Sequence, residues 1–100
     1  DPKVQSEKLY QEGQAEKLRA SQAFERGDIE GGESALGVAR ARLTEAASLC
    51  LPEDREAIDG EVGALDVLAA DVRTTGAGYV SKATRDSYHL ANRKRGRRRD

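Results

Sequence analysis

Methionine and tryptophan are absent from these 100 residues, and there is one cysteine, one histidine, one phenylalanine and two prolines. Each scarcity excludes something. A chain without methionine does not begin at a natural start, so a piece excised from a longer protein is expected. The lone Cys50 rules out an internal disulfide and any multi-cysteine metal site. With four aromatic residues in all, the core must be built from alanine and leucine, which suits closely packed helices better than packed sheets. No run approaches the roughly 18 apolar residues that span a membrane, and no signal peptide is visible. The compartment stays open, with the cytoplasm favoured over secretion.

What is present favours helix. Apolar residues make up 37% and charged residues 35%, with alanine, leucine, glutamate and arginine dominant. Such polarity also fits disorder. The periodic placement of the apolar residues argues against that. Net charge is −1, but the charges are segregated. Residues 93–100 hold six of the 17 basic residues and one of the 18 acids, which leaves eleven bases against seventeen acids in 1–92. The body is acidic and the tail basic.

Asp1-Pro2 reads as a helix start, because proline at the first helical position loses only an N–H that has no partner anyway. A long first helix follows, from Lys3 to about Arg26. Its apolar residues Ala15, Leu18, Ala20, Ala23 and Phe24 are dense in the second half. Val4, Leu9 and Tyr10 in the first half form no continuous stripe and are expected to be free for a partner. Gly13 weakens the middle, and Lys8 can pair with Glu12 one turn on.

Gly27 suits a left-handed residue just past a helix end, and Asp28 offers a cap to the next helix. So short a connection implies an antiparallel hairpin. Helix two is expected from Ile29 to Leu49 or Cys50, with Leu36, Ala39, Leu43, Ala46 and Cys50 on its apolar face. Pro52 then opens a third helix, Glu53 to Arg73, with Ile58, Val62, Leu65, Ala69 and Val72 in line. Gly60 and Gly63 sit beside that line, where a neighbouring backbone has room to approach. Thr74–Gly78 is a break, and Tyr79 to Asn92 reads as a shorter fourth helix. The expected fold is all-α: an antiparallel bundle of three long helices plus a shorter fourth over 1–92, then a basic tail over 93–100 expected to be disordered.

Candidate chemistry is thin. Asp86 and His89, three apart on a helix, suggest a metal pair, but there is no second histidine and a surface histidine is the plainer reading. Cys50 lies on an apolar face at a helix C-terminus, where the dipole disfavours a thiolate, so packing outweighs nucleophilic use. Gly76-Ala77-Gly78 before a helix lacks the strand and the lysine of a phosphate loop. The carboxylates scatter over polar faces without an acid–base pair. No cofactor and no catalytic residue are assigned. Only the basic tail carries functional weight: Arg93, Lys94, Arg95, Arg97, Arg98 and Arg99 form a possible polyanion contact. The tail has no aromatic residue for base stacking and the body is acidic, so nucleic acid is disfavoured as a partner.

The segment Tyr79–His89, closed by Asn92-Arg93-Lys94-Arg95-Gly96, resembles the end of certain bacterial von Willebrand factor type A (VWA) domain proteins. In those proteins a helical region follows the type A and β-rich parts. The Ala-rich helix ending in Gly27-Asp28 and the Ala- and Leu-rich second helix are similar too. The resemblance implies a C-terminal helical domain with a role in protein–protein assembly. The Asp-x-Ser-x-Ser metal motif of the type A domain does not occur here, so no ligand residue carries over.

The expectation is therefore a non-catalytic interaction or assembly module, not an enzyme. Its partner would be another protein, a neighbouring domain of the parent chain or a second copy, met through Val4, Leu9 and Tyr10. The alternative is a binder of nucleic acid or an anionic surface through the tail.

Overall fold

Three long helices and a shorter fourth make an all-α bundle. The computed structural model describes residues 1–75, 82 and 84–91, and among these there is no strand. The long helices are α1 (Pro2–Glu25), α2 (Ile29–Leu49) and α3 (Pro52–Thr75). The fourth, α4, covers 84–91. The expected bounds of the long helices hold to within two residues. Both ends expected for the fourth, Tyr79 and Asn92, lie outside the described residues, as do Gly76–Gly78 and the tail from 93 to 100.

Local chemistry explains where the helices start and stop. Asp1 caps α1 by accepting from the Lys3 N–H at 3.0 Å, with Pro2 at the first helical position. Gly27 has φ +79°, the left-handed conformation that glycine adopts without steric cost. Around it the Gly27 N–H donates to Phe24 O and the Asp28 N–H to Ala23 O, which closes α1 in a Schellman motif. The Asp28 carboxylate then accepts from the Gly31 N–H at 2.9 Å and opens α2. One residue thus ends one helix and begins the next. At the far end Arg55 donates to Ala47 O at 3.0 Å, placing a cation on the last turn of α2.

Packing between α1 and α2 is antiparallel and close. Ser6 Oγ donates to Ala46 O at 2.9 Å near one end. In the middle, a Cβ added at Gly13 would come within 2.9 Å of the Leu43 side chain. At the other end, one added at Gly32 would clash with the edge of the Phe24 ring. Small residues therefore set the spacing of this pair. Arg42 meets Glu12 at 3.2 Å across the same interface, so Glu12 turns to α2 and not to Lys8. Arg40 and Asp66, 2.7 Å apart, link α2 to α3 on the surface.

The expected face of α2 is buried through Leu36, Ala39, Leu43 and Ala46, with Cys50 half-buried at its end. On α3 the buried line is Ile58, Leu65, Leu68 and Val72. Ala69, expected there, is exposed. Leu68 lies seven residues from Glu61, so the line is turned toward the side that faces α1 and the fourth helix. Val62, seven before Ala69, is correspondingly only half-buried. Among the described residues Gly60 and Gly63 are approached by no backbone, since a Cβ on either meets nothing within 4 Å. On α1, Ala15 is exposed and Leu18 half-buried.

The first half of α1 differs most from expectation. Leu9 and Tyr10 are 5% and 4% exposed and belong to the core cluster, so neither is open to a partner. They lie among Ser6, Gly13, Gln14 and Lys17 on an inward face too polar to register as an apolar stripe. Val4 does remain outside, at 65% exposure.

Candidate functional site

Two adjacent lines run along the inner side of α1. Leu9, Gly13 and Ala20 form the line toward α2. Tyr10, Gln14, Lys17 and Ser21 form the other at 4-3-4 spacing, and every one of them is buried. That spacing keeps residues on one helical face as surely for polar side chains as for apolar ones.

Glu61 on α3 receives this polar line. Its Oε2 accepts from Tyr10 Oη at 2.7 Å. Its Oε1 accepts from Gln14 Nε2 at 2.9 Å and from Lys17 Nζ at 2.8 Å. The lysine side chain has no exposed surface, and its ammonium also donates to Ser87 Oγ of the fourth helix at 3.3 Å. A charge removed from water is tolerated when it is both paired and hydrogen-bonded, and both conditions are met. Lys17 therefore joins three helices at one atom. Among the described residues, Gln14 Oε1 is buried without a hydrogen-bond partner. An orphaned buried acceptor costs about 1–3 kcal/mol, so the cluster carries a built-in deficit.

The fourth helix turns Thr84 and Ala91 inward, fully and nearly fully buried, with Ser87 half-buried between them. Arg85 pairs with Glu25 at the end of α1. Both of these side chains are partly exposed, so that pair is a surface contact.

The residues singled out from sequence are not gathered into one place. Val4 is exposed on α1, while Leu9 and Tyr10 are interior. Arg93, Lys94, Arg95, Arg97, Arg98 and Arg99 lie outside the described residues. His89 and Asp86 are exposed, with the histidine edge-on to Tyr88, and no group of three or more His, Cys, Asp or Glu is assembled among the described residues as a metal would require. Cys50 Sγ donates to Ala47 O at 3.3 Å. Burial first, then the charge of Asp54, raises its thiol above the ordinary range, against a smaller opposing effect of Arg55. A shallow groove of about 340 Å³ lies beside the α1–α2 turn, between Glu16, Arg19, Arg26 and Val38. No helix among the described residues is long and apolar enough to cross a membrane.

Gln14, Lys17, Glu61 and Ser87 escape a search for apolar faces. The available signal is the 4-3-4 recurrence of Tyr10, Gln14, Lys17 and Ser21, which marks a seam only if polar residues are allowed in one. No family model matches the chain, and no curated protein or solved structure matches it either.

Proposed function

We propose that the chain is a non-catalytic helical interaction module, the C-terminal helical part of a protein with a type A domain, and that its partner packs on the outer face of α3. The observation that carries this reading is the line Gly60, Gly63, Val67 and Ala70. These residues recur at 3-4-3 spacing away from the buried side of α3, and all are exposed, Val67 at 61%. A glycine inside a helix costs about 1 kcal/mol relative to alanine. Two of them on an exposed line, with open space where each Cβ would stand, suit a second helix approaching from outside. The Lys17–Glu61 hub supports the reading from within, because it holds α3 in a fixed rotation against α1.

The test is light scattering of the chain, alone and mixed with the domain upstream of it, for the natural sequence and for Val67→Glu. Association by the natural chain that is lost in Val67→Glu, with unchanged thermal unfolding, is the expected result. Association that survives the substitution overturns the assignment of this face. The assembly role itself is overturned if neither the chain alone nor the mixture shows any association.

The competing reading is polyanion binding by the tail, favoured by six basic residues in eight. A heparin or duplex DNA titration separates the two. Tight, salt-dependent binding that disappears on deleting residues 93–100 would favour the tail.

A further inference from the structure

Two apolar lines run along α3 and share Ile58, Leu65 and Val72. Val62 and Ala69 complete one of them. Leu68 completes the other, with Glu61 seven residues before it. The structure uses the second: Leu68 is buried, Ala69 is exposed and Val62 is only partly buried against the core. At 100° per residue, the centres of the two lines lie about 40° apart around the helix axis. Apolar burial alone chooses weakly between them. A turn from one to the other exchanges Leu68 for Ala69 and the remainder of Val62, side chains of similar total area. Polar pairing chooses strongly. In the observed rotation Glu61 accepts from Tyr10 Oη, Gln14 Nε2 and Lys17 Nζ at 2.7, 2.9 and 2.8 Å.

We infer that the Lys17–Glu61 hub is a rotational lock, which selects one of two rotations of α3 and so fixes where its outer face stands. This rests on the assignment of that face to a partner. Side chains reach about 5–6 Å from a helix axis, so a 40° turn carries them about 4 Å sideways. That displacement takes the Glu61 carboxylate away from its three donors on α1 and strands the enclosed Lys17 ammonium. It also shifts the line of Gly60, Gly63, Val67 and Ala70 by most of a side-chain width, so a partner fitted to one rotation misfits the other. Lys17 and Glu61 are thus positioning residues for a surface that neither of them lines. Buried polar groups serve helical assemblies in this way, fixing register at a cost in stability.

The test reads the rotation directly and needs no partner. In a chain carrying Cys50→Ser, Ala69→Cys supplies a single thiol at a position that is exposed while the hub is intact. Iodoacetamide should alkylate it readily. Glu61→Lys sets two ammonium groups against each other and should turn α3 onto its other line, slowing alkylation at position 69 at least about tenfold. Unfolding does not imitate this result, because it speeds the reaction. Combining Lys17→Glu with Glu61→Lys exchanges the charges and should restore the fast rate. An unchanged or faster rate in Glu61→Lys overturns the lock, whether that chain stays helical or unfolds. Protection that persists in the charge exchange overturns it too, since the rotation would not follow the pairing. Failure of the docking face is distinguishable, as it removes association in light scattering and leaves these alkylation rates as they are.

Discussion

Lys17 Nζ and Glu61 Oε1 stand 2.8 Å apart between α1 and α3, with the lysine side chain fully enclosed and 21% of the glutamate's surface still open to water. This asymmetry makes the two partners unequal. Glu61→Leu strands an ammonium that keeps, among the described residues, Ser87 Oγ as its acceptor, and loss of one member of a buried pair costs about 3–5 kcal/mol. Lys17→Met should cost less, because Glu61 keeps Tyr10 and Gln14 as donors and reaches solvent. The double variant should recover only part of the loss: the stranded ammonium is gone, but Tyr10 Oη and Gln14 Nε2 lose the carboxylate they donate to. Urea unfolding of all four proteins measures the cycle. Equal effects of the two single changes would show that the pair is not buried as described.

Gly13 and Gly37 predict opposite outcomes for the same substitution. In an open helical position Gly→Ala stabilises by about 1 kcal/mol, and a Cβ at Gly37 meets nothing within 4 Å. At Gly13 the new Cβ stands 2.9 Å from Cγ and Cδ2 of Leu43, which has no exposure and nowhere to move. Overpacking of that kind costs about 1–3 kcal/mol, enough to cancel or exceed the helical gain. Thermal unfolding should rise for Gly37→Ala and stay level or fall for Gly13→Ala. A gain at both positions would mean that α1 and α2 are further apart.

The turn between α1 and α2 separates backbone conformation from capping. Gly27→Val places a branched side chain at φ +79°, where an L residue loses about 1–2 kcal/mol. Asp28→Ala removes the cap on the Gly31 N–H and should cost about 1 kcal/mol. The two changes act on different atoms of one turn. Denaturant midpoints should fall in both, and an unchanged midpoint in Gly27→Val would indicate that the helices run on without this turn.

Helix bounds were legible because they are encoded by neighbours in the chain. Asp1-Pro2, Gly27-Asp28 and Pro52 each act on backbone groups within four residues, and so their effect can be read without knowing the fold. The face of α2 was legible for a related reason, as its apolar residues alternate at helical spacing with little competition. Residues 4–17 were not. Their inward face mixes Ser6, Leu9, Tyr10, Gly13, Gln14 and Lys17, and only the approach of α2 and Glu61 makes burial of such a set favourable. A lysine that ends on a carboxylate 44 residues away leaves no local trace. The rotation of α3 that exposes Ala69 and buries Leu68 is set by the same partnership.

Cys50 gives a prediction that depends on pH. Its half-buried thiol donates to Ala47 O, and burial together with Asp54 lifts its pKa above the ordinary value near about 8.5. A raised pKa means that the folded chain holds the thiol proton more tightly than the unfolded chain does. The stabilisation is therefore complete below the unfolded thiol's pKa and is lost as pH rises through the folded one, where the thiolate must form in place. Alkylation by iodoacetamide should accordingly be slower in the native chain than in urea near about pH 8.5, with its midpoint displaced upward. The rate difference should vanish on unfolding. Native alkylation as fast as that of the denatured chain would place Cys50 in solvent, and with it the last turn of α2 that holds its sulfur against Ala47.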